Sequence, residues 1–128
     1  MSLMTIRLEL GRTAGAPQGD ARHAYEMVAP LDAKGHLDAE EWRAQKHRCA
    51  VRRFRPGQPE TRGSLRHCGR GWLFDYVPGR SDDNETLFRL DRHLIEKGLY
   101  ISVTEEDGVQ RPFKIVAVTP LKTGQDQE

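Results

Sequence analysis

The sequence predicts a mainly β domain, a small antiparallel β-barrel or sandwich of about seven strands with one short helix. Three observations lead there. Short runs alternate apolar and polar side chains, the period of a half-buried strand. Glycine, proline and aspartate interrupt those runs at short intervals, as in hairpin-rich folds. Only one segment carries a full helix-start signal.

Residues 5–10 alternate, with Ile6, Leu8 and Leu10 on one face, which reads as a strand. Residues 11–20 hold three glycines and a proline and read as a loop. Residues 21–29 read as a second strand with Tyr25 and Met27 on a shared face, ended by Pro30. The acids between Asp32 and Asp38 flank Gly35 but lack the acidic ladder of a calcium loop. They read as a Lys34-Gly35 turn and a helix cap. Asp38 is the N-cap, Glu41 stands three residues on, and Leu37 and Trp42 have the spacing of a hydrophobic staple. The helix should reach about Cys49. Its apolar stripe is thin and anchored by Trp42, so it should drape over a sheet edge or a barrel mouth.

Residues 51–55 form a short strand, broken by Pro56-Gly57-Gln58-Pro59. The densest aromatic run of the chain follows. Trp72, Phe74 and Tyr76 alternate just after Gly69-Arg70-Gly71. A Gly-X turn there sets Leu65 against Phe74, Arg66 against Leu73 and His67 against Trp72, which gathers the large apolar side chains on one face. Arg66 then becomes a diagonal neighbour of Asp75 on the other face. Residues 77–85 read as a polar loop. Residues 86–95 read as a strand in which Phe88 and Leu90 share a face and Leu94-Ile95 continue after a kink. A last hairpin joins Leu99, Ile101 and Val103 to Phe113, Ile115 and Ala117. A three-residue loop ending in a left-handed Gly108 matches their faces by pairing Ile101 with Phe113. Pro112 cannot donate to a ladder and marks an edge or a bulge.

A length of 128 residues points to one domain over 4–121, with a polar tail at 122–128. Residues 1–4 read as a leader. The chain has no apolar run of membrane-spanning length and no signal-peptide core, so a cytoplasmic protein without membrane association is expected. Two cysteines make no disulfide framework. Net charge is +1 but unevenly spread. Nine Lys/Arg face one acid between Arg43 and Arg70, and eight acids face three bases between Ser81 and Gln110.

That basic stretch carries the functional expectation. Arg52, Arg53, Arg55, Arg66 and Arg70 lie beside the aromatic hairpin. Arginines meeting phosphates and rings stacking on bases are how small barrels hold single-stranded nucleic acid. The sequence is thus read as a binding module for an anionic partner, single-stranded nucleic acid among the candidates. The alternative is a protein–protein or self-association module, in which an acidic loop of one copy or an acidic protein surface meets the basic face. A plainer explanation is a solvated basic face balanced by the acidic segment. Parity also sets Arg52 on a face with Phe54, apart from Arg53 and Arg55.

Other chemistry is poorly supported. His47, Cys49, His67 and Cys68 are zinc-type ligands, but adjacent strand residues diverge and neither pair has finger spacing. Neither cysteine sits in a nucleophile signature. The acid pairs at 40–41, 82–83 and 105–107 fall at a helix start or at loop tips. No catalytic constellation, metal site or cofactor is expected. Asp75, inside an apolar strand, is expected to pair with Arg66.

Overall fold

The computed structural model describes residues 3–68, 71–76, 85–87 and 94–121, without the side chains of Cys68 and Thr86. Eight strands run in chain order: β1 (Leu3–Leu10), β2 (Asp20–Pro30), β3 (Ala50–Phe54), β4 (Thr61–Cys68), β5 (Gly71–Asp75), β6 (Glu85–Leu87), β7 (Tyr100–Thr104) and β8 (Gln110–Pro120). Each pairs antiparallel with the next, and β8 returns to pair with β1, which closes the sheet into an up-and-down barrel. Closure removes the free edges that an open sheet would have to protect.

Alternation decides what lies inside. Ile6 and Leu8, Tyr25 and Met27, Val51, Leu65, Trp72 and Phe74, Leu87, Ile101 and Val103, Phe113 and Ile115 are all buried and pack as one core. The expected register of the aromatic hairpin is present, with Leu65 opposite Phe74, Arg66 opposite Leu73 and His67 opposite Trp72. The turn that set it, Gly69-Arg70, lies outside the described residues. In the last hairpin Ile101 faces Phe113, Glu105 N–H donates to Val109 O at 3.1 Å, and Gly108 takes φ +80°. Pro112 sits just beyond the β1–β8 ladder, whose last pair is Leu10 with Phe113. Its carbonyl accepts from Gly11 N–H at 2.8 Å.

Two expectations change. The strand begins at Leu3 rather than Thr5, because Leu3 and Met4 find partners in Pro30 and Ala29 of β2. The strand expected over 86–95 is described only as β6, Glu85–Leu87. Phe88 and Leu90 fall outside the described residues. Leu94 and Ile95 lie outside any strand; Ile95 N–H donates to Gly35 O at 2.8 Å and its side chain is buried.

The helix α1 (Ala39–Gln45) starts where its cap predicts. Asp38 Oδ1 accepts from Glu41 N–H at 3.1 Å, and Leu37 and Trp42 are both buried in the core. The carboxylate of Glu41 does not close the capping box; it accepts from the side chain of Gln45 one turn on. The helix is shorter than expected because a 3-10 turn, Lys46–Arg48, takes over before β3. Among the described residues no helix is long and apolar enough to cross a membrane.

Antiparallel order gives the barrel two distinct ends. The helix connection from β2 to β3 lies at one, the helix end. The loops 11–19, 55–60 and 105–109 lie at the other, the open end.

Candidate functional site

At the helix end, Trp42 fixes α1 to β4. Its Nε1–H donates to Leu65 O at 2.9 Å, and its ring packs edge-on against Trp72 at 5.8 Å and His67 at 6.0 Å. A groove of about 530 Å³ lies between the helix segment and β4. Trp42, Lys46, His47, Ser64, Leu65, Arg66 and His67 line it. Lys46 and Arg66 are cations, the two imidazoles become cations when protonated, and no carboxylate belongs to the lining. Lys46 Nζ lies 5.8 Å from the Trp42 ring centre, close enough for a cation–π contact. Arg66 also donates to Asp75 Oδ2 at 2.7 Å, the diagonal pair expected from the hairpin register.

The open end holds the opposite chemistry. Arg53 and the residue after β3, Arg55, continue the inward face of Val51. They meet carboxylates at 0% and 2% exposure, Glu85 and Glu105. Arg53 donates to Glu85 Oε2 at 3.2 Å. Arg55 donates to Glu85 Oε2 at 3.0 Å and Glu105 Oε2 at 3.2 Å, and it forks onto Glu106 at 2.6 and 2.7 Å. Arg111 donates to Glu105 Oε1 at 2.8 Å, and His23 Nε2 lies 2.8 Å from Glu105 Oε2. Two phenols complete the cluster. Tyr25 Oη lies 3.0 Å from Glu85 Oε1 and 2.5 Å from Glu105 Oε2, and Tyr76 Oη lies 2.7 Å from Glu85 Oε1.

Burying a carboxylate is costly unless donors replace its water. At Glu105 burial pushes the pKa up, but hydrogen bonds from His23 and Tyr25 and the charge of Arg55 outweigh it, and the group sits below its ordinary value. Glu85 goes the other way, to about 7. Burial dominates there and the neighbouring Glu106 carboxylate adds to it, against the pull of Tyr76, Arg53 and Tyr25. The fork of Arg55 holds Glu106 well below the usual carboxylate range.

The five expected arginines do not form one surface. Arg52 lies on the outer face, where it stands over Phe54 with its guanidinium carbon 5.3 Å from the ring centre and donates to Glu26 at 2.5 Å. Arg53 and Arg55 point into the open end. Arg66 lines the groove at the helix end. Arg70 falls outside the described residues. The acids of the cluster were missed for a simple reason: Glu85 and Glu105 look like loop residues when flanked by Asp82-Asp83-Asn84 and Glu106-Asp107. The available signal was parity. Two arginines that continue an inward-facing strand need buried carboxylates. Cys49 is buried, and burial pushes its thiol up to about 11, which makes it a poor nucleophile. Among the described residues no three His, Cys, Asp or Glu side chains are grouped to hold a metal.

No family model, curated protein or solved structure matches the chain. Its function is therefore argued from its own residues.

Proposed function

We propose that the protein is a binding module for an anionic partner, and that the group it recognises is a phosphate-type anion seated in the groove between α1 and β4. The observation that carries this reading is the lining: Lys46, His47, Ser64, Arg66 and His67 all border one groove, and no carboxylate is among its lining residues. Such donors match a tetrahedral oxyanion, and charge-assisted hydrogen bonds are the strong ones. The size, about 530 Å³, suits a single small ligand. Trp42 gives it an apolar wall.

Phosphate could come from a free small molecule or from a nucleic-acid backbone. The geometry favours the former. Trp42, Trp72 and Phe74 are buried and offer no stacking platform, and Arg52, Arg53 and Arg55 point away from the groove. The self-association reading has less support. Glu105, Glu106 and Asp107, the acids of the 105–109 turn, are held by Arg55 and Arg111 of the same chain.

Tryptophan fluorescence reports on this groove, since Trp42 lines it and Trp72 packs behind. Titration with inorganic pyrophosphate should quench or shift the emission at low salt, and the affinity should fall as salt rises. Lys46→Ala should weaken binding roughly tenfold, the loss of about one charge-assisted hydrogen bond. A labelled single-stranded oligonucleotide distinguishes the two sources: a much tighter complex with it would favour the backbone over a free phosphate. Binding of neither at low salt contradicts the proposal.

A further inference from the structure

Among the described residues, the open end contains more phenol–carboxylate oxygen contacts than phenolic protons. Tyr25 Oη contacts Glu85 Oε1 at 3.0 Å and Glu105 Oε2 at 2.5 Å, and Tyr76 Oη contacts Glu85 Oε1 at 2.7 Å. These are three contacts served by two phenolic hydrogens. A phenol donates once and accepts with its lone pairs. With both carboxylates ionised, the single Tyr25 hydrogen would have to be shared between two buried carboxylates. A further proton on one carboxyl gives each contact its own hydrogen.

Its position follows from the partners. The shorter contact directs the Tyr25 hydrogen to Glu105, which also has His23, Arg55 and Arg111 around it, a set of donors that favours the ionised form. The Tyr76 hydrogen goes to Glu85. The unfilled contact is therefore between Glu85 and Tyr25, and only Glu85 can fill it. The described titratable and charged groups against Glu85 are Tyr25 of β2, Arg53 of β3 and Arg55 just beyond it, Tyr76 after β5, and Glu106 of the β7–β8 turn. Arg53 and Arg55 reach only Oε2, so Oε1, which faces both phenols, is where the proton meets Tyr25; the hydrogen-bonded Glu106 carboxylate is its competing acceptor.

We propose that the open end is a proton-binding site in which Glu85 holds a carboxylic-acid proton and donates it to Tyr25 Oη, while Tyr25 donates its own hydrogen to Glu105. The arrangement is a short relay. If the Glu85 Oε1–H bond breaks as the hydrogen moves to Tyr25 Oη, and the Tyr25 O–H bond breaks as its hydrogen moves to Glu105 Oε2, one proton has crossed from Glu85 to Glu105. Tyr25 stays neutral and the total charge does not change. His23, with 17% of its side chain exposed, and Arg111, with 27%, are the partners that link Glu105 to solvent. The site is independent of the groove at the helix end and stands whatever binds there.

The test is a pH titration of the full chain carrying ¹³C at the glutamate carboxyls. At about pH 6, above the ordinary carboxyl range and below the value of about 7 that the buried surroundings give Glu85, one glutamate should still show a protonated carboxyl signal. Glu85→Gln should remove that signal alone, since the amide keeps a donor for Tyr25 and the same shape. The relay itself is tested by Tyr25→Phe. Loss of the phenol removes the acceptor of the Glu85 proton, so the Glu85 midpoint should move down. A midpoint that moves up would mean that Tyr25 donates to an ionised Glu85, and would overturn the relay. A wild-type titration in which every glutamate is ionised at about pH 6 overturns the proton site, and that measurement needs no variant to fold.

Discussion

Gly63 shows how single residues set the open end. A Cβ built there would lie 2.6 Å from Asp75 O and 2.7 Å from the Tyr76 ring. Only the missing side chain lets Tyr76 settle against β4 and reach Glu85. Gly63→Ala should therefore destabilise the fold by ~1–3 kcal/mol, the range for overpacking a close contact, as read by urea denaturation. It should also disturb the Glu85 surroundings, whereas alanine at Gly57, which has nothing within 4 Å of its virtual Cβ, should pay only for its positive φ. Glu85 makes the second prediction at this scale. Its folded pKa, about 7, stands above its ordinary 4.5, so folding takes up a proton between those values. The stability this adds is complete below the lower value and is lost as pH rises through the upper one. Relative to Glu85→Gln, the wild type should lose up to ~3 kcal/mol between those two values. Denaturation midpoints of both proteins across that window check it, and parallel curves would count against it.

At the scale of elements, the helix and the two hairpins differ in how far they could be read ahead. The hairpins were legible to the residue pair, because a strand has only two faces and a register slip of one would turn Phe74 or Phe113 outward. Gly108 and the matched apolar faces leave one solution, and it is the one present. The helix was legible at its start, where Asp38 and the Leu37–Trp42 staple are local signals, but not at its end. The 3-10 turn at Lys46–Arg48 answers to the distance the chain must cover to enter β3, which is tertiary information. Trp42 joins helix to barrel through one hydrogen bond and two ring contacts. Trp42→Ala should cost ~3–5 kcal/mol, and Trp42→Phe, which keeps a ring but loses the donor to Leu65 O, should cost ~1–2 kcal/mol. Equal losses for the two would mean that packing alone holds the helix.

For the whole molecule, barrel closure sorts what the linear sequence mixes. A run of nine cations and a run of eight acids suggested one basic face and one acidic segment. Alternation along β3 instead sends Arg53 and Arg55 inward to the acids and Arg52 outward, while Arg66 goes with the helix end. Strand parity foretold that Arg52 would part from its neighbours. It did not identify Glu85 and Glu105 as their partners, because those pairings span 30 to 50 residues along the chain and depend on which strands become neighbours. The result is a barrel with a cationic groove at one end and a proton-holding acid cluster at the other. Glu26, Glu105 and Glu106 sit below their ordinary values, so the stability they contribute is lost as pH falls through those lowered values.

The claim that the helix end receives an anion is tested most directly by mapping where one binds. In a ¹⁵N–¹H titration with inorganic pyrophosphate at low salt, the Trp42 indole N–H and the amides of Lys46, His47 and residues 64–67 should shift together and saturate with one affinity. Shifts confined to the open end, or none at all at low salt, would contradict it.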